Sequence, residues 1–121
     1  MSALPEGRYE GLVLASRPTP RHRMYHVDIR LTKTGEQIEA VMFSGRDHAV
    51  MLGLARLKFV AYGQPWLPDQ DRSKPLPVLV LDLSFDQKYP DRNRLTRARR
   101  TGVEVVCDVR EAPVRTDFAE F

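Results

Sequence analysis

The chain has 121 residues, of which 42% are hydrophobic, and this fits a single domain with one modest core. No apolar run reaches the roughly 20 residues that span a bilayer, and the first residues lack the pattern of a signal peptide, so we expect a cytoplasmic protein without membrane contact. The lone Cys107 excludes an internal disulfide and a cysteine-based metal site, which agrees with a reducing compartment.

The charge is distributed unevenly along the chain. Nineteen Lys and Arg stand against sixteen Asp and Glu, which gives a net charge of +3. Residues 1–85 carry 11 basic and 9 acidic side chains, residues 86–100 carry 6 and 2, and residues 101–121 carry 2 and 5. The three segments thus have charges of +2, +4 and −3, which indicates a nearly neutral body, a basic arm suited to a polyanion and an acidic end.

The first part of the chain predicts three strands. The first strand, 8–17, is apolar and is interrupted by Gly11, while the second, 24–32, alternates apolar and polar residues with a period of two. Turn-forming residues around Gly35 lead into a third strand at 37–43. The second and third strands are therefore predicted to form a hairpin.

The middle of the chain changes its period and then returns to strand. Residues 45–55 have the spacing of a short helix, and residues 56–62 alternate again and predict a fourth strand. A proline-rich loop at 63–77 contains Trp66 among polar residues, which indicates an exposed ring. A fifth strand is predicted at 78–85.

The rest of the chain is predicted to lie outside the sheet. We expect a barrel over residues 1–85, followed at 86–102 by a basic arm. Residues 103–109 have strand propensity and either return to their own barrel or pair across a two-fold axis in a homodimer or higher oligomer. The extension over 86–121 closes with an acidic, aromatic tail.

Three strands, a short helix and two more strands within about 80 residues resemble the OB-fold, a five-stranded Greek-key barrel. The likeness covers about residues 6–85 and rests on the element order, on Gly11 in the first strand and on a helix between strands three and four. It implies an all-β fold whose ligand crosses strands two and three and is held by the loops that join strands one to two and four to five. Within this fold the chain is similar to bacterial single-stranded DNA-binding proteins, in which an acidic tip ending in Phe docks partner enzymes.

This resemblance, together with the chemistry of arginine and of aromatic rings, defines candidate site residues. Arg and Lys neutralise phosphates, and aromatic faces stack unpaired bases at roughly 1–3 kcal/mol each. The candidates for nucleic-acid binding are Arg17, Arg21, Arg23, His26, Arg30, Phe43, Trp66, Arg72, Lys74, Lys88, Arg92, Arg94, Arg97, Arg99 and Arg100. The residues expected to dock replication or repair proteins are Asp117, Phe118, Glu120 and Phe121.

Several of these assignments have a structural alternative. Phe43 faces either a base or the core, because a bulge would shift its register, and Trp66 either stacks a base or packs against the barrel. The basic arm either follows phosphates or is a solvated linker or helix face. Tyr25 and Phe59 share faces with aliphatic residues and are assigned to the core.

The expected function is sequence-tolerant binding of single-stranded nucleic acid, with DNA favoured over RNA, and the alternative is an OB-fold adaptor between proteins. The three histidines lack metalloprotease spacing, and neither a nucleophile elbow nor a glycine-rich phosphate loop occurs. We therefore expect no enzymatic activity, no metal and no cofactor.

Overall fold

The computed structural model describes residues 4–21, 23–43, 45–69, 71, 73–85 and 92–106. In these ranges the chain forms five strands and one helix: β1 (Gly7–Pro18), β2 (Tyr25–Leu31), β3 (Gln37–Met42), α1 (Gly45–Ala55), β4 (Leu76–Phe85) and β5 (Asn93–Val105). The predictions of strands near 8–17, 24–32, 37–43 and 78–85, and of a helix at 45–55, are confirmed.

The five strands form a sheet that closes on itself in the order β1, β2, β3, β5, β4, with β4 pairing back to β1. Neighbouring strands are antiparallel except for β3 and β5. Those two are parallel and meet at Ala40↔Asn93 and Val41↔Arg94. The mainly β architecture expected from the sequence is therefore present.

The prediction of a strand at 56–62 is wrong. This segment contributes only an isolated bridge between Lys58 and Leu67 to the described sheet pairing. Of its large apolar side chains, Leu57 is buried, whereas three others are exposed: Phe59, Val60 and Tyr62. The alternating pattern there belongs to a loop, and Phe59 does not lie in the core.

The fifth strand of the sheet comes instead from the stretch that we expected to be a basic arm. β5 pairs with β4 from Leu76↔Val105 to Phe85↔Asn93, and its pairing shifts register between Asp82 and Leu83. At that shift Leu83 pairs with Leu95 and Asp82 with Arg97, so Thr96 is the extra residue of a bulge. Four arginines of this stretch are therefore residues of the closed sheet: Arg94, Arg97, Arg99 and Arg100.

The core fills the interior of the sheet and is closed by α1. Strand residues such as Ile29, Leu79 and Leu81 are fully buried, and Met51 and Ala55 of α1 pack against them. The buried face of α1 consists of His48, Met51 and Ala55, with the spacing of one helical face. Val50 lies on another face of α1 and is exposed.

Gly11 of β1 pairs with both adjacent strands, with Leu31 of β2 on one side and with Leu79 of β4 on the other. A Cβ atom at this position would lie 2.9 Å from the backbone oxygen of Arg30 and 3.0 Å from Cγ2 of Ile29. Backbone so close leaves no room for a side chain, and this explains the glycine that interrupts the first strand.

Candidate nucleic-acid interface

The loop that joins β1 to β2 (residues 19–24) presents two of the predicted arginines to solvent. Arg21 and Arg23 are exposed, and Met24 is buried and anchors the loop to the sheet. Thr19 orders the turn, because its backbone N donates to the Met24 carbonyl at 3.1 Å and its hydroxyl accepts from the Arg21 backbone N at 3.1 Å. The backbone of Arg23 has φ of 60°, a left-handed conformation that residues other than glycine rarely adopt.

Two other predicted contacts, Arg17 and His26, are not on the surface. Arg17 is 3% exposed and its guanidinium donates to Asp28 Oδ2 at 3.2 Å and to Glu39 Oε1 at 3.1 Å, while His26 is 1% exposed and bonds through Nδ1 to Glu39. The expectation that they face a ligand is wrong. These four residues, here called the polar cluster, hold β1, β2 and β3 together.

Phe43 and Arg94 lie together beside this cluster. The register places Arg17, His26 and Val41 in one row across β1, β2 and β3, and Val41 pairs in turn with Arg94 of β5. Arg94 is exposed, and its guanidinium carbon lies 5.0 Å from the centre of the half-buried Phe43 ring. This stack holds a planar cation at the end of β3.

Two further arginines of β5 lie on the outer side of the sheet: Arg97, which is exposed, and Arg99, which is half-buried. Arg100 is exposed but pairs with the core residue Leu79 and therefore lies on the other side of the strand, and Arg92, just before β5, is half-buried.

In the strand register, Asp82 of β4 lies between Arg97 of β5 and Arg8 of β1. The Asp82 carboxylate also forms an ion pair with Nε of Arg8 at 3.2 Å. One carboxylate therefore lies between two arginines, and this part of the outer surface keeps a positive excess.

Trp66 is packed against the sheet rather than projecting from the long loop. Its backbone N donates to the Ser16 carbonyl at 2.7 Å, and its half-buried ring lies edge-on to His48 at 5.1 Å and to Tyr25 at 6.2 Å. The expectation of a fully exposed ring is wrong, and the alternative of packing against the barrel describes it better. Tyr25 packs against the core cluster, as predicted.

A buried hydrogen bond that the sequence analysis did not single out lies beneath these rings. Ser16 Oγ donates to the His26 carbonyl at 3.1 Å and lies 2.7 Å from His48 Nε2, so this nitrogen carries the proton. The His48 ring stacks on Tyr25 with 3.7 Å between centres. Burial of the ring lowers the pKa of His48 from its ordinary 6.5 to about 4.

The other predicted residues are placed less favourably or fall outside the described ranges. Arg30 is half-buried on the outer side of β2. Lys74 is exposed but donates to Asp69 at 2.9 Å; a backbone hydrogen bond from Asp71 and this lysine together lower the pKa of Asp69 to about 2. Six residues lie outside the described residues: Arg72, Lys88, Asp117, Phe118, Glu120 and Phe121.

Asn93 is a structural residue that the sequence analysis missed. Its side chain is buried, accepts from the Leu4 backbone N at 2.8 Å and donates to the Leu4 carbonyl at 2.9 Å. This pair of hydrogen bonds ties the N-terminal segment to the start of β5. Asn93 lies between two arginines, so only the buried polar position of its side chain distinguishes it.

Comparison with known proteins found no match among family models, curated proteins or solved structures. In the described part of the chain, no helix is long and apolar enough to cross a membrane. Within the same residues, no group of three or more His, Cys, Asp or Glu side chains is placed to hold a metal ion.

Proposed function

We propose that the chain is an OB-fold protein that binds single-stranded nucleic acid, with DNA as the favoured ligand. The fold assignment is supported by the ring order β1, β2, β3, β5, β4, by the parallel contact of β3 with β5 and by α1 between β3 and β4. These features agree with a five-stranded Greek-key barrel.

The observation that carries the functional proposal is the meeting of cations and an aromatic ring at one place on the sheet. Arg21 and Arg23 lie in the loop next to the start of β2, and Tyr25 there pairs with Met42, the residue before Phe43. Arg94 lies on Phe43. Guanidinium groups pair with phosphates, and a guanidinium plane also stacks on an unpaired base.

The position of these groups favours an extended strand over a compact anion. Besides Arg94, the exposed Arg97 and the half-buried Arg99 lie on the outer side of β5, so the cations extend along the strand further than a single phosphate requires. The polar cluster does not belong to the proposed interface, because Arg17 is buried and its guanidinium already pairs with Asp28 and Glu39. A single strand that crosses the end of β3 therefore meets arginines on both sides of its path.

The first experiment measures binding of labelled oligo-dT by fluorescence anisotropy at several salt concentrations. Arg94→Ala and the pair Arg21→Ala with Arg23→Ala are expected to weaken binding, and each lost phosphate contact lowers the slope of log affinity against log salt by about 0.7. Lys33→Ala is the matched control, because it removes an exposed charge at the opposite end of the β2–β3 hairpin. The same titration with RNA and with duplex DNA ranks the ligands.

Equal salt slopes in all four proteins would reject the proposed interface. Absence of binding to any single strand, with another protein captured in its place, would favour the adaptor function. Docking through the C-terminal tail and a cytoplasmic location stay predictions.

A further inference from the structure

We infer that Phe59 and Tyr62 form a second stacking platform for unpaired bases. They belong to residues 58–67, here called the aromatic loop, and the platform extends the path of the bound nucleic acid beyond loop 19–24. The inference rests on the proposed function. Phe59 is 56% exposed and Tyr62 is 97% exposed, and exposed apolar side chains grouped on one surface mark interaction sites. The two rings meet edge to face with their centres 5.8 Å apart.

The aromatic loop is held in place before any ligand arrives. Lys58 and Leu67 exchange two backbone hydrogen bonds, of 2.8 and 3.1 Å, and Gln64 N donates to the Ala61 carbonyl at 3.1 Å. The Phe59 ring also lies 6.2 Å from Trp66, which packs on the sheet. A ring on a fixed loop loses little conformational entropy when a base stacks on it.

The platform is next to the arginine loop. Trp66 pairs with Ser16 of β1, and its ring approaches Tyr25, the first residue of β2. Loop 19–24 connects these same two strands. The aromatic loop therefore lies at the same end of β1 and β2 as loop 19–24.

The charge of the aromatic loop suits a polyanion. Residues 58–67 contain Lys58 and no carboxylate. The Lys58 side chain is 71% exposed and its ammonium lies 3.8 Å from Asp69, a distance at which solvent weakens the attraction. Exposed rings beside a basic residue favour a nucleic-acid strand, and unpaired bases in particular, since the bases of a duplex are already stacked on each other.

The test replaces each ring by an apolar side chain that has no π-face. Phe59→Leu and Tyr62→Leu each remove the stacking contact of one base. Each is therefore expected to weaken oligo-dT binding by roughly 5- to 100-fold. Tyr62→Phe keeps the face and is expected to bind as the unaltered chain does. Trp66, the only tryptophan, lies close enough to Phe59 for its emission to report the same titration.

Two controls separate base stacking from general apolar contact. Val60→Ala removes an exposed apolar side chain from the same loop and is expected to leave affinity unchanged. An abasic strand of equal length keeps the phosphates but has no bases, so the two leucine variants and the unaltered chain are expected to bind it equally.

The outcomes distinguish this inference from the function on which it rests. If the unaltered chain binds no single strand, the proposed function itself fails. If it binds with arginine dependence but both leucine variants bind equally well, the aromatic loop is not a platform. Loss of binding in Val60→Ala to the same degree as in the leucine variants would also overturn the inference, because it would indicate a non-aromatic contact surface.

Discussion

At the scale of single residues, the polar cluster shows what a period-two pattern can and cannot predict. The alternation in β2 correctly puts His26 on the opposite side from Val27 and Ile29, yet His26 and Arg17 are buried. The pattern assigns a side chain to one side of a strand but does not say what covers that side. Asp28 and Glu39, on neighbouring strands, were the available signal that Arg17 has partners within the fold.

His48 gives a prediction about pH. Its pKa is lowered to about 4 by burial, while in the unfolded chain it stays near 6.5. Between these values the unfolded state binds more protons, so the free energy of unfolding falls as the pH is lowered from 6.5 and this contribution is complete near pH 4. Urea unfolding at a series of pH values measures this loss.

The control for this experiment is His48→Gln, whose amide keeps a donor for Ser16 Oγ and does not titrate. Its unfolding free energy is expected to depend less steeply on pH over this range, by up to about 1.4 kcal/mol per pH unit for a single proton. Carboxylates contribute equally to both proteins and cancel in the difference. Identical profiles for the two would show that His48 is protonated in the folded state.

At the scale of elements, the end of α1 explains why the chain leaves the core at residue 56. Leu57 N donates to the Leu52 carbonyl at 3.0 Å and Arg56 N to the Gly53 carbonyl at 3.2 Å, which is the pattern of a Schellman turn. This turn requires the left-handed conformation that Arg56 adopts, with φ of 58°. The turn returns Leu57 to the core and leaves the following rings outside.

Arg56→Gly is therefore expected to stabilise the turn relative to Arg56→Ala, by about 1 kcal/mol. Both substitutions remove the exposed ion pair of Arg56 with Glu104, so their difference reports the backbone conformation alone. Thermal and urea unfolding measure it. Equal stability of the glycine and alanine variants would contradict the left-handed assignment.

Sequence reasoning located β1 despite its register shift between Val13 and Ala15, but it missed β5, where a bulge interrupts a stretch rich in arginine. In β5, Leu95 and Ala98 both pair with core leucines of β4 although they are three residues apart, because the bulge absorbs Thr96. A search for strict alternation does not detect two core residues that are three positions apart. The surrounding arginines, in addition, suggest a solvated segment. Conversely, residues 56–62 alternate without belonging to the sheet, since the Schellman turn redirects them.

At the scale of the whole molecule, the closed sheet depends on β5. Removing residues 86–121 would leave β3 and β4 without a shared neighbour and expose Leu83, Leu81 and the other core residues that face Leu95 and Ala98. A chain that ends at residue 85 is therefore expected to lose cooperative unfolding in circular dichroism and dispersion in its amide spectrum. A chain that ends at residue 106 keeps all five strands and is the control; a folded shorter chain would mean that β5 is dispensable.

The contact of β3 with β5 is the narrowest in the ring, since it consists of two paired positions while β4 and β5 pair along nine. Arg94 lies at this seam, and Arg21 and Arg23 lie across the end of β3 from it. A strand of nucleic acid that binds all three arginines would cross the contact between β3 and β5 and connect β5 with the loop before β2. By mass action, such a ligand stabilises the closed protein by RT ln(1 + [L]/Kd), so occupancy and closure of the ring rise together.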